Sequence, residues 1–152
     1  MNKKFLDYFT SVLIETSKLS TCASKQVGAL LVRDNRILAI SYNGVPSNKP
    51  HCSSIFKSVD KENREEHHVW SLRNELHSEQ NLIAFCAKNN IQTNNCIIFV
   101  TESPCMSCAK LVVASGIKII YYINKYDKDG GGFDFLKECG VEVKQVENKI
   151  KR

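Results

Sequence analysis

The amino-acid sequence predicts one α/β domain over residues 1–152, built as a mixed sheet with helices on both faces. Three observations carry that expectation. Two apolar runs, "VGALLV" (27–32) and "RILAISYN" (36–43), are joined by "RDN" and read as a hairpin. Beyond residue 67, helical-period segments alternate with short apolar runs, the pattern of strands joined through helices. No linker, internal repeat or low-complexity tract divides the chain, and a 43% hydrophobic content suits one compact core.

The elements follow in order. Phe5, Leu6, Phe9, Val12 and Leu13 recur at helical spacing, so residues 5–19 form an amphipathic helix. Its basic and then apolar start resembles a secretory leader, but Asp7 and Glu15 interrupt the run, and a helix is expected instead. After the hairpin, residues 44–66 are polar and contain Pro46 and Pro50. They read as an irregular insertion of the length that tends to carry function. From about His67 to Asn89 the pattern turns helical again, with a helix core that starts at His77. "CIIFV" (96–100) reads as a strand buried on both faces. "CAKLVVAS" is a helix stopped by Gly116, "IKIIYYI" (117–123) a strand and "KYDKDGGG" a loop. "FDFLKEC" is a short helix closed by Gly140, and "VEVKQV" a last strand.

Composition narrows the function classes. No apolar run approaches the length of a membrane span. Seven cysteines without a secretory leader imply reduced thiols in a cytoplasmic protein, where cysteine clusters mean metal or catalysis more often than disulfides. The net charge of +5 comes from scattered lysines, which argues against a nucleic-acid partner and suits a small anionic ligand. Cys86, Cys96 and Cys139 sit in apolar settings and are expected to be small buried hydrophobes.

"TESPCMSCAK" (101–110) poses the chemical question. Its cysteines could be a redox pair, or two ligands of a metal whose other ligands lie elsewhere. A catalytic zinc site leaves one of four positions to water, so one further ligand would suffice. Of His51, His67, His68 and His77, only His77 opens a helix core with a carboxylate two residues on, at Glu79. "HSE" and "PCMSC" both fall at expected helix starts, where the positive end of the helix dipole favours a bound anion. The spacing H-x-E…P-C-x-x-C matches the signature of zinc deaminases. In that reading His77, Cys105 and Cys108 hold Zn2+, which brings a bound water towards a neutral pKa. Glu79 takes the water's proton and passes it to the ring nitrogen and then to the departing amine. A lone His77 would more often be a core histidine. A redox pair or a purely structural zinc accounts for the cysteines but leaves Glu79 without a purpose.

"SKLSTCASKQVGALLVRDNRILAISYNGVPSNKPHC", "HHVWSLRNELHSEQNLIAF", "TESPCMSCAKLVVASGIKIIYY" and "KYDKDGG" together resemble the deoxycytidylate (dCMP) deaminases of phage and bacterial type. The resemblance runs from about residue 17 to 146. It implies a cytidine-deaminase-like three-layer α-β-α sandwich around a five-stranded mixed sheet, and hydrolysis of dCMP to dUMP, the thymidylate precursor. It also implies a homohexamer activated by dCTP with Mg2+ and inhibited by dTTP.

By position, the resemblance puts Asn43, Gly44 and Tyr126 at the nucleotide pocket and Lys88 at the effector site. A structural zinc found in some phage members would be held by Cys22, Cys52, His67 and Glu75, with His51 or His68 as substitutes if the loop runs differently. The sequence departs from the family pattern at Ser78, where alanine is usual, and at Ser41, where glycine is common. Arginines often found near the first cysteine appear only as Lys25, so Lys25 and Arg73 are the candidates for the 5′-phosphate. The competing readings are a tRNA adenosine deaminase, another cytosine nucleoside or nucleotide deaminase, and a non-catalytic zinc scaffold or nucleotide-binding regulator.

Overall fold

The computed structural model describes residues 1–126, 128 and 130–147. Asp127 and Asp129 of the "KYDKDGGG" loop therefore lie outside the described residues. The elements are α1 (Lys3–Ser17), β1 (Gly28–Arg33), β2 (Arg36–Tyr42), α2 (Cys52–Ile55), α3 (Arg64–Asn74), α4 (Ser78–Lys88), β3 (Ile97–Glu102), α5 (Met106–Ala114), β4 (Ile119–Asn124), α6 (Gly132–Glu138) and β5 (Glu142–Gln145).

The expected mixed sheet forms, with strand order β2-β1-β3-β4-β5. β1 is antiparallel to both β2 and β3, whereas β3, β4 and β5 run parallel. The hairpin closes through Asp34 and Asn35, both at positive φ (51° and 57°), the turn whose twist matches paired strands. The parallel pairs need crossovers, and α5 and α6 supply them.

Alternation along the strands sorts side chains to two cores. Leu30, Val32, Phe99, Tyr121 and Ile123 face α1 and close over Phe9 and Leu13. Ala29, Leu31, Ile98, Val100, Ile120 and Tyr122 face the opposite way, against Leu82 of α4, Val112 of α5 and Leu136 of α6. The result is α1, sheet, then α4–α5–α6, the three-layer arrangement expected. Gly28 lets α1 sit close to β1, since a Cβ there would lie 2.9 Å from the Leu13 carbonyl oxygen.

Two expectations need correction. The helical stretch expected from His67 to Asn89 is two helices, because Glu75 to His77 run extended. Leu76 exchanges two backbone hydrogen bonds with Gly44 (2.8 and 3.1 Å), and that pairing cannot be made from within a helix. His77 then caps α4, its N–H donating to Gln80 Oε1 at 2.8 Å. Cys139 is exposed at the end of α6, while Cys86 and Cys96 are buried as expected.

Candidate active site and metal clusters

His77 and Cys105 occupy the N-cap positions of α4 and α5, so two helix amino termini converge on one spot. Cys105 Sγ lies 3.5 Å from His77 Nδ1, and Cys108 Sγ lies 3.4 Å from the same nitrogen. A tetrahedral zinc with Zn–S near 2.3 Å and Zn–N near 2.05 Å separates sulfur from nitrogen by about 3.6 Å. The three donors thus already stand at zinc-ligating separations. His77 is exposed and Cys108 buried, so the cluster has a dry side and a side open to water.

The electrostatics suit a cation. Cys105 is held at about 4, first because the Cys108 thiol donates to it, with the His77 imidazole adding to the effect. Cys108 is pushed up by the same shared proton and by burial. His77 is raised chiefly by its contact with Cys105. One thiolate beside a pair that carries protons is the state a metal converts to two thiolates, releasing protons as it binds.

Glu79 is buried at 4% exposure, and that burial raises its pKa, opposed by the positive charge of His77 and the hydrogen bond from Ser78. Ser78 Oγ donates to Glu79 Oε2 at 3.0 Å, and Ser41 Oγ donates to the Ser78 carbonyl oxygen at 2.7 Å. The two departures noted in the sequence are therefore one continuous contact, tying the first turn of α4 to β2 and orienting the buried carboxylate.

Three of the four donors expected for the second site also assemble. His67 Nε2 lies 3.4 Å from Cys52 Sγ and 3.7 Å from Cys22 Sγ, again at zinc-ligating separations. All three are buried. Glu75 is engaged through one oxygen only: Oε2 accepts from Ser71 Oγ at 2.7 Å. Its other oxygen, Oε1, is buried with no hydrogen-bond partner, although leaving such an atom unpaired costs about 1–3 kcal/mol. Glu75 is near enough to Cys52 to help raise that thiol to about 11, an effect led by burial. The Cys22, Cys52 and His67 donors lie within 4.8 Å of one another, a group that does not include the Glu75 oxygen; its unpartnered state and its influence on Cys52 make it the candidate fourth donor of a closed zinc site. His68 is exposed, and His51 faces Thr21 (3.2 Å), so neither substitutes for His67.

Asn43, Lys25 and Tyr126 are joined by a further set of contacts. Asn43 accepts from the Val27 N–H (2.8 Å) and donates to the Lys25 carbonyl (2.9 Å), which commits one site at each end of its amide to the backbone. The space next to the Gly44 Cα is open to 4 Å. Lys25 pairs with Glu102 at 2.8 Å and lies 5.4 Å from the Tyr126 ring centroid. Arg73 is exposed in the last turn of α3, and Lys88 is exposed at the end of α4 far from His77.

Glu102 went unnoticed in the sequence. Besides Lys25 it accepts from Asn124 Nδ2 (3.0 Å), and it marks the carboxyl end of β3 beside the cysteine loop. A lone charge ending an apolar strand just before "SPC" was the available signal. Ser71 was also missed; its position four residues before Glu75 on a helix was the clue.

A sequence profile of the cytidine and deoxycytidylate deaminase zinc-binding region matches residues 3–124. The chain belongs to that family. Among its relatives, the deoxycytidylate deaminase of Enterobacteria phage T4 is 36% identical over 88% of this chain and 85% of its own. The phage T2 deoxycytidylate deaminase is 35% identical, covering 86% of each. The crystal structure of a dCMP deaminase from cyanophage S-TIM5, in complex with dCMP and dUMP, superposes with a TM-score of 0.80 at 30% identity. It covers 96% of this chain and 99% of that one. The three-layer sandwich of this deaminase is accordingly the family fold, and zinc is its metal.

Proposed function

We propose that this chain hydrolyses dCMP to dUMP and ammonia, supplying the thymidylate precursor, with His77, Cys105 and Cys108 as zinc ligands and Glu79 as the proton carrier. The observation that carries the reading is a buried carboxylate placed beside an open His–Cys–Cys cluster, in a chain that resembles a structure solved with dCMP and dUMP. Bound at that cluster, zinc would polarise water and bring its pKa towards neutrality.

Glu79 then has two proton transfers to make. It accepts a proton from the attacking water and delivers it to N3 of the cytosine as the new C–O bond forms at C4. It next takes the hydroxyl proton and hands it to the C4 amine, which leaves as ammonia while the C4–O bond becomes the carbonyl of the uracil ring. Ser78 holds the carboxylate in place through both steps. Burial favours this role, since a carboxylate whose pKa is raised holds a proton more readily between taking it up and returning it.

The pocket wall in this reading is Asn43, Gly44 and Tyr126. The unused N–H and lone pair of Asn43 suit a sugar hydroxyl, and the open space at Gly44 admits close approach. Lys25 and Arg73 are the candidate phosphate contacts; Lys25 would exchange or share its Glu102 partner with the phosphate. The second cluster would hold a structural zinc through Cys22, Cys52, His67 and Glu75, supported by the unpartnered Glu75 oxygen. Assembly as a homohexamer, activation by dCTP with Mg2+ and inhibition by dTTP through a site including Lys88 extend the same reading. Exposed Val69 and Leu72 on α3 offer apolar surface that assembly would cover.

The deciding experiment is ammonia release from dCMP, with deoxycytidine, CMP and dCTP in parallel and dCTP or dTTP added as effectors. Turnover of dCMP above the others supports the reading, and its response to the triphosphates decides regulation. A folded, zinc-loaded chain that turns over no cytosine nucleotide would refute it and direct attention to adenosine in tRNA.

A further inference from the structure

The two clusters approach each other at one tripeptide: Glu75, the proposed fourth ligand of the second, carries a buried unpartnered oxygen, His77 belongs to the first, and Leu76 lies between them. Leu76 is pinned by its paired hydrogen bonds to Gly44 (2.8 and 3.1 Å). The residue before it, Asn43, is reached from the second cluster by another route. The Cys22 N–H donates to Ser20 Oγ (3.2 Å), and Ser20 Oγ donates to the Asn43 carbonyl oxygen (2.9 Å). A path therefore runs from Cys22 through Ser20, Asn43, Gly44 and Leu76 to Glu75. A metal bound by both Cys22 and Glu75 would close it into a ring, with His77 attached at the next residue.

Cys22, Cys52 and Phe56 form a small apolar cluster of their own, separate from the two main cores, with Trp70 packed on its edge. Glu75, two residues before His77, keeps one buried oxygen without a partner. We propose that the Cys22–Cys52–His67–Glu75 cluster is a clamp on His77, so that metal held there tightens metal binding at His77–Cys105–Cys108. The proposal rests on the reading that each cluster binds zinc, and it adds that the two sites are thermodynamically coupled. Coupling of this kind is reciprocal and typically amounts to roughly 5–150-fold in affinity.

The test is zinc competition against a chromogenic chelator, using the full chain and the variants Cys22→Ser, Glu75→Gln and Cys105→Ser, each checked for folding by circular dichroism. Trp70, whose ring lies 6.4 Å from that of His67, assigns the sites. Cobalt at the second cluster should quench its fluorescence, whereas cobalt confined to the first should do so far less.

Wild type should bind one zinc at each cluster. Cys22→Ser and Glu75→Gln should give up the zinc of the His77 cluster at least about tenfold more readily, and Cys105→Ser should loosen the second site by the same factor. Unchanged affinity at the His77 cluster in folded variants that have lost the second zinc overturns the coupling and leaves the two-site reading standing. A wild-type chain that binds zinc only at the His77 cluster overturns both. If Cys22→Ser does not fold, the isosteric Glu75→Gln decides alone.

Discussion

Replacing Glu79 by glutamine changes one atom in a side chain that is 4% exposed and hydrogen-bonded by Ser78 Oγ at 3.0 Å. Glutamine keeps the volume, and its carbonyl oxygen can still accept from Ser78. What is lost is the ability to carry a proton. Positioned general acid–base groups contribute roughly 10²–10⁴-fold. Turnover of dCMP should therefore fall by about that factor, or about 3–5 kcal/mol in the barrier at 1.36 kcal/mol per tenfold.

The same change should stabilise the metal-stripped fold. Burial raises the Glu79 pKa above its unfolded value, so the stability tied to its protonated form is complete in acid and is lost as pH rises through the folded value. Glutamine cannot ionise and escapes that loss. The variant should melt above wild type at neutral pH, and the gap should close on acidification below the ordinary carboxylate range. The assay is ammonia release, paired with zinc analysis and thermal melts of the apo protein across pH. Activity within tenfold of wild type would refute the proton-carrier role, and loss of zinc would make Glu79 a ligand instead.

Metal analysis of the purified chain should give close to two zinc ions, about one per cluster, and Cys52→Ser should reduce the content by one. Zinc uptake at the His77–Cys105–Cys108 cluster should release protons, because Cys108 keeps its proton in the metal-free state while Cys105, at about 4, has already lost its own. The apparent affinity should then rise by about tenfold per pH unit for each proton released, measured by competition titration at several pH values. Gly132→Ala should drive a Cβ to within 2.6 Å of the Pro104 carbonyl oxygen and 2.7 Å of the Cys105 carbonyl carbon. Displacing that backbone should cost about 1–3 kcal/mol in chemical denaturation and weaken zinc binding, since Cys105 is the proposed ligand being pushed.

The sequence by itself determined the sheet and the chemistry-bearing motifs. Apolar runs such as "CIIFV" and "IKIIYYI" declare strands because alternation and burial are local properties of the chain. H-x-E and P-C-x-x-C declare their ligands because each motif sits at the start of its own helix. A helix start at His77 was legible, but the extended stretch that separates α3 from α4 was not. It depends on Leu76 pairing with Gly44, 32 residues earlier, and periodicity carries no record of a contact between distant segments.

The second cluster was invisible to spacing for the same reason. Cys22, Cys52, His67 and Glu75 come from a loop, α2, α3 and the extended stretch after it, and family resemblance alone linked them in the sequence. Only the folded chain shows Glu75 Oε1 buried without a partner, and only there do Ser41 and Ser78 prove to be in contact. Burial and hydrogen-bond satisfaction belong to the packed molecule, because whether a polar atom is paired depends on every segment that closes over it.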